Sequence, residues 1–452
     1  MWNFVDDFLA DAHRSADWSS EAAKMCAVYE NAYVTITATA AKDCEDGFLR
    51  AQAKNRCRTY PMPHEACQKI GIPKGNITAI QGHDAEYGHE ALHDRAWCFQ
   101  EWMLSKRILS FRQEEIQYLC LEDQRCDCYF AHEGTQSTGM KQLFERALEA
   151  GNQRKLHDKW LSIVQDYKAR SITQGSDRLP ALAGLAIKFH QYWPKAKYLA
   201  GVWSNDVLDS LVWATNTTRV QDASPNRCFP SWSWASIESQ AWFKRRRDNE
   251  YVTQVSNDAM ALTAYIRHDF YPDVVPTEQY IQLYGQLKTV LFRYDPEKCE
   301  GRVNFLDAPL GAGKQPDREQ FWQVELDCAL EPSVHPKSGS DLSDRTNTIP
   351  SISRATWRKN HTGPFECPAF CLRLSTDQVR LNVPMPLCLL LTMVGEMDLP
   401  LANFIFPIKG EVPGPLSSIL KPKKVPVFRR IGYVNTDASK FDNVEKTCVF
   451  IV

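Results

Sequence analysis

Arg95, Trp97, Gln100 and Glu101 crowd into one short stretch, His93 to Phe111, reading HDRAWCFQEWMLSKRILSF. In a helix starting near Asp94, Trp97 and Glu101 are four residues apart and share a face, and Lys106 and Arg107 fall near the carbonyl end, where the helix dipole favours cations. A carboxylate beside an indole makes a surface that is part apolar and part polar, of the kind that holds a flat heteroaromatic ring and a ribose. The same spacing also suits an ordinary amphipathic element. There Trp97 and Met103 pack inward and Glu101 pairs with Arg107 or another surface cation, an ion pair worth at most about 1 kcal/mol. Spacing alone favours this second reading.

Other chemistry fails on spacing. GAGK at 311–314 lacks the earlier glycine and the following Ser or Thr of a phosphate loop. PSWSWAS lacks the Gly-x-Ser-x-Gly elbow that exposes a nucleophile, so Ser231 and Ser233 are expected to pack around Trp232 and Trp234. Cys120, Cys126, Cys128 and His132 are close in sequence, but Cys-x5-Cys-x-Cys-x3-His fits no common zinc arrangement, and no metal is expected.

Composition excludes further classes. A net charge of −2 gives no basic footprint for nucleic acid. The one compact basic run, Lys244 to Arg247, is followed at once by Asp248 and Glu250 and reads as a solvated loop. Fifteen cysteines, odd in number and scattered, and an N-terminus with acids where a secretory signal would be basic suggest reduced thiols in a soluble cytoplasmic protein. The most apolar tract, Leu387 to Val394, is far shorter than the roughly 20 residues of a bilayer span.

The elements that must position Glu101 are legible by period. Trp18-Ser19-Ser20-Glu21 suits a helix start, and Ala22, Met25, Cys26 and Tyr29 then form one buried face. YVTITATAA, from Tyr33, alternates as a half-buried strand, and residues 50–92 read as a long loop or an insertion with at most short strands. RILSF and IQYLCL follow as strands, so the first third has α/β character. Two helical segments around a Gly-Ser-Asp turn come next, and from about Tyr198 short runs, among them FPSWSWASI, YIQLYGQLKTVLF and LCLLLTMV, read as β-rich. The expected class is α+β, with domains at 1–130 and 156–452 and a linker at 131–155.

DWSSEAAKMCAVYENAYVTITATAAKDCEDGFL and LHDRAWCFQEWMLSKRILSF together resemble the later blocks of the fungal heterokaryon incompatibility (HET) domain: an Asp-Trp…Met…Tyr-x-Asn-Ala helix, a Thr/Ala-rich strand, then Arg-x-Trp-x-x-Gln-Glu. SITQGSDRLPALAGLA, YLAGVW, PSWSWAS and FRRIGYV resemble the C-terminal extension of such proteins. The resemblance implies a role in self/non-self recognition and cell death, and a TIR-like N-terminal fold. Some TIR domains cleave NAD with a glutamate in a Trp-Cys-x-x-Glu helix, a pattern matched by Trp97, Cys98 and Glu101. It therefore implies Glu101 as the catalytic carboxylate, Trp97 as pocket wall, Arg95 as a structural or phosphate contact, and NAD as substrate rather than bound cofactor. The family's first strand block has no counterpart here, so the expectation is a domain truncated at its N-terminus and impaired as an enzyme. An open edge on the strand from Tyr33 to Ala40 then invites self-association. The alternative is a non-catalytic module that binds an unknown protein partner.

Overall fold

The computed structural model describes residues 24–49, 59–61, 78–80, 91–112, 116–126, 141, 144, 152–215, 229–237, 240–243, 252–257, 259–265, 280–295, 300–305, 322–326, 365–379, 384–399, 423–436 and 438–451. The helix start at Trp18 to Glu21, Cys128, His132, the basic run at 244–247 and the GAGK segment lie outside these residues. The chain divides into two compact units, one of residues 1–159 and 170–194, the other of residues 160–169 and 195–452.

The first unit is built on a four-stranded sheet. Helix α1 occupies 24–31, and β1 (Thr35–Thr37) follows after a short turn. A small hairpin pairs β2 (Thr59–Pro61) with β3 (Thr78–Ile80), and α2 (Ala96–Leu104) then leads into β4 (Arg107–Phe111), β5 (Ile116–Cys120) and β6 (Gln124–Cys126). The order is β1-β4-β5-β6, with β1 parallel to β4 and the other pairs antiparallel. A parallel pair needs a long crossover, and α2 completes it immediately before β4. Helix α3 (Gln153–Lys168) crosses the division at residue 160; a 3-10 turn (Gly175–Arg178) and α4 (Pro180–Tyr192) complete the first unit. Pro180 opens α4, where its missing N–H costs nothing. Lys141 and Phe144, within the stretch expected to be a linker, are buried: Lys141 donates to the Trp102 carbonyl at 3.3 Å and Phe144 packs on Phe189 at 5.5 Å between centroids.

β1 is shorter than the alternation of YVTITATAA suggests. Thr39 turns inward, bonding Ser110 through its hydroxyl, and the Ala41 N–H returns to the Ala38 carbonyl, which ends the strand after Thr37.

The second unit is β-rich, as the C-terminal runs suggest. It contains β7 (Tyr198–Leu199), β8 (Val202–Trp203), the one-turn helix α5 (Val207–Ser210), β9 (Trp213–Thr215) and β10 (Ala241–Phe243), then β11 (Val252–Asn257) and β12 (Met260–Tyr265). The long strands β13 (Tyr280–Asp295), β16 (Phe365–Val379), β17 (Pro384–Leu399) and β18 (Lys423–Asn435) join the shorter β14 (Glu300–Phe305), β15 (Trp322–Leu326) and β19 (Lys446–Ile451). The pairings β13 to β14, β15, β18, β17, β16 and back to β13 close a circuit of antiparallel ladders, a barrel without an open edge in that ring. Val290, Phe292, Tyr294, Val303, Phe305, Ala369, Cys371, Cys388 and Leu390, taken at every second position, fill its interior.

FPSWSWASI is not a strand. Residues 231–236 form a turn and a 3-10 helix (Trp234–Ser236), because Ser233 Oγ accepts from the Ala235 N–H at 3.0 Å and caps it. The hydroxyl's local bond competes with the ladder that the apolar alternation would favour.

Candidate functional site

Arg95 stands in extended conformation just ahead of α2, and the helix runs from Ala96 to Leu104. Its end is set by Ser105, whose backbone N–H and hydroxyl both bond the Glu101 carbonyl, at 3.2 and 2.7 Å. The Thr35 hydroxyl lies 2.7 Å from the same serine hydroxyl and ties β1 to this end of α2. Phe99 and Met103 are buried, so one side of the helix belongs to the core. Trp97 and Glu101 lie on the remaining side and are only partly covered.

Glu101 is not a surface partner of Arg107. Arg107 instead bonds the Tyr33 carbonyl at 3.4 Å and lies 5.1 Å above the Tyr33 ring. The Glu101 carboxylate accepts a hydrogen bond from the Tyr29 hydroxyl of α1. Burial pushes its pKa up to about 7, against the opposing pull of the Tyr29 bond and the Arg95 charge. Tyr29 is raised well above the usual phenol range by burial and the neighbouring carboxylate, so it remains a donor at neutral pH.

The Trp97 indole N–H donates to Asp177 Oδ2 at 3.4 Å, and burial raises the Asp177 carboxyl despite that bond. Cys98, between Trp97 and Glu101, is buried, and desolvation with the Glu101 charge pushes its thiol up to about 12. A thiol held so far from its thiolate is no nucleophile at neutral pH.

Three features were not legible in the sequence. The first is Tyr29 as the partner of Glu101, although it lies on the α1 face whose period was visible. The second is Arg170, whose guanidinium sits 4.6 Å above the Phe99 ring and bonds the His93 carbonyl. Burial, with the Arg112 and Arg170 charges, holds His93 down to about 4, so this imidazole is neutral at physiological pH. The third is the segment after α3. Ser171 accepts from the Ala96 N–H at 2.9 Å and donates its own N–H to Asp94 at 2.6 Å, which fixes the entry to α2.

The other motifs have structural uses. In the second unit, Trp160 and Trp234 both donate to the Gly201 carbonyl, at 3.2 and 2.9 Å. Ser233 donates to the Ala200 carbonyl at 2.5 Å. Ser231 Oγ accepts from the Arg430 N–H at 3.0 Å, and the Arg430 guanidinium lies 3.7 Å from the Trp213 ring and bonds the Trp213 carbonyl. YLAGVW, PSWSWAS and FRRIGYV thus meet in one tryptophan cluster, and the two serines serve as packing and capping residues. Among the described residues no group of three or more His, Cys, Asp or Glu is placed to hold a metal ion, and no helix is long and apolar enough to cross a membrane.

The sequence model of the family described as Heterokaryon incompatibility protein (HET) matches residues 5–101, a segment that holds both Tyr29 and Glu101. The motifs around Trp97 that resemble this family fall at the end of the matched segment. No curated protein and no solved structure matches the chain.

Proposed function

We propose that this protein acts in heterokaryon incompatibility, in fungal self/non-self recognition and cell death, and that Glu101 is the carboxylate of a site that cleaves NAD at the nicotinamide glycosidic bond. The observation that carries the reading is the placement of the Glu101 carboxylate, which shares a helix face with Trp97 and accepts from the Tyr29 hydroxyl, in surroundings whose burial pushes its pKa up. Glycosidic cleavage passes through an oxocarbenium-like transition state, and a carboxylate held beside the ribose stabilises the positive charge as it forms. The C1′ to nicotinamide nitrogen bond breaks, the nitrogen keeps the electron pair, and water adds at C1′ with loss of a proton. The products are nicotinamide and ADP-ribose. Trp97 offers an apolar wall to the nicotinamide ring, Arg95 a cation to the pyrophosphate, and the N-terminal fold is TIR-like in this reading.

The test is NAD turnover by the purified chain. Wild-type protein is expected to release nicotinamide only slowly, in keeping with the impaired domain that the motifs imply, and Glu101→Gln to lose about 100-fold or more of whatever rate remains, the scale on which removing one transition-state contact acts. Unchanged turnover in the variant removes Glu101 from the chemistry.

A second reading, of a cytoplasmic module that binds a protein partner or a second copy of itself without catalysis, rests on a different observation. Val28, Tyr33, Val34, Ile36, Phe48 and Leu49, on and around β1, stand open to solvent, Ile36 at 54% and Tyr33 at 81%. Among the described residues β1 pairs on one side only. Large apolar side chains gathered at an open edge are a feature of contact surfaces. NAD or ADP-ribose would quench Trp97 emission in the first reading and leave it unchanged in the second.

A further inference from the structure

Three helices of the first unit meet at Gly184. From α4, its backbone N–H donates to Gln100 Oε1 at 3.0 Å, and its carbonyl accepts from Cys26 Sγ at 3.3 Å. Gln100 and Cys26 are both buried, and they neighbour the pair that matters: Gln100 precedes Glu101 on α2, and Cys26 lies three residues before Tyr29 on α1. Next to Tyr29, Glu30 forms an ion pair with Lys188, one turn further along α4. A Cβ on residue 184 would come within 2.7 Å of Gln100 Oε1, 3.1 Å of a Leu104 methyl and 3.2 Å of Cys26 Cβ. The approach of α1 and α2 over α4 therefore depends on this glycine.

This arrangement gives Tyr29 a role that packing alone does not require. A phenol can fill the space of a phenylalanine, but its hydroxyl is spent on a carboxylate that would otherwise be stripped of water without replacement. We propose that Tyr29 is a positioning residue for Glu101, holding the carboxylate in its ionised form and in one orientation, and that Gly184, outside the HET match, sets the helix crossing that makes the bond. The role in catalysis rests on the reading of Glu101 given above; the positioning itself does not. Among the described residues, the charged and titratable groups facing Glu101 are Tyr29 from α1, Arg95 ahead of α2 and Cys98 within α2. Tyr29 donates to the charged form of Glu101, and its loss must move the carboxyl titration upward.

The deciding experiment is a titration of Glu101 in the full chain, followed by the isotope-edited infrared carboxyl band and assigned with Glu101→Gln. Tyr29→Phe is expected to raise the midpoint by about one pH unit. An unchanged or lowered midpoint overturns the proposal. Gly184→Ala is expected to raise it similarly while leaving Tyr29 in place, and a folded Gly184→Ala protein with the wild-type midpoint removes Gly184 from the proposal. If the alanine variant does not fold, Tyr29→Phe alone decides. In turnover, Tyr29→Phe should lower kcat about tenfold with KM little changed and move the ionisation limb of the pH profile upward by the same shift. A wild-type chain that shows the titration shift but cleaves no NAD refutes the functional reading and leaves the positioning intact.

Discussion

Trp97 and Asp177, eighty residues apart in sequence, are joined by a hydrogen bond from the indole nitrogen to a carboxylate oxygen at 3.4 Å. The bond ties Trp97, inside the HET match, to the 3-10 turn ahead of α4, outside it. Asp177→Ala should therefore cost stability as well as loosen the proposed pocket wall. The expected loss is about 1 kcal/mol, the usual net worth of one hydrogen bond, read as a lower denaturant midpoint with an unchanged slope. No change in midpoint would show that the bond contributes nothing to the fold.

Glu101 and His93 impose opposite pH dependences. Glu101 titrates at about 7 when folded, above an ordinary carboxyl, so the folded state binds more protons than the unfolded state between roughly pH 4.5 and 7, and stability falls as pH rises through that window. His93 titrates at about 4 when folded, below an ordinary imidazole, so stability rises with pH between about 4 and 6.5. The two trends oppose each other in mildly acid solution. In Glu101→Gln, the difference in unfolding free energy from wild type should grow in the variant's favour from pH 4.5 to 7, by roughly 3 kcal/mol at most. In His93→Gln, a difference in the variant's favour present below pH 4 should disappear by pH 6.5. Chemical unfolding of both variants across this range checks the signs.

Gly201 adopts φ +94°, and an added Cβ would lie 2.6 Å from the Trp234 ring. Gly201→Ala combines backbone strain with a clash in a close-packed cluster, where overpacking alone costs about 1–3 kcal/mol. The expected result is a drop of at least that size in the stability of the second unit, measured by thermal unfolding with tryptophan emission as the probe. A wild-type melting curve would show that Trp234 can move aside without cost.

The apolar side chains around β1 predict self-association that depends on concentration. Ile36→Lys puts a charge on the open edge, a device by which natural sheets resist pairing with other chains. Sedimentation velocity should show wild-type protein shifting to larger species with concentration and the variant shifting less. A wild-type monomer at high concentration would refute the expectation.

The helix at Trp97 and the strands on either side of the Gln-Glu motif were legible because each has its own hydrophobic period. RILSF and IQYLC became β4 and β5, and the long C-terminal runs became β13, β17 and β18. The similarity of residues 5–101 to the HET family was legible from ordered motifs, none of which needs three-dimensional information. The Tyr29 to Glu101 bond was not, because periodicity says which face a residue lies on and nothing about the side chain it meets from another helix. Gly184 was invisible for a related reason: within ALAGLA it reads as one more small residue, and only the approach of Gln100 and Cys26 gives its missing Cβ a purpose. PSWSWAS misled because its alternation is that of a strand, while Ser233 satisfies the backbone locally and bends it.

The closed ring of the second unit sets an order of events during synthesis. β13 pairs with β16 through residues 365–372 and with β19 through residues 446–451, so these two partners emerge from the ribosome long after it does. The described residues of the first unit end at residue 194 and are made early, whereas β13, able to pair at once with β12 and β14 along one edge, keeps its other edge unpaired until β16 and β19 have been made. Through that interval the nascent chain exposes the strands most prone to pair wrongly, and a chaperone that shields β13 would govern its yield.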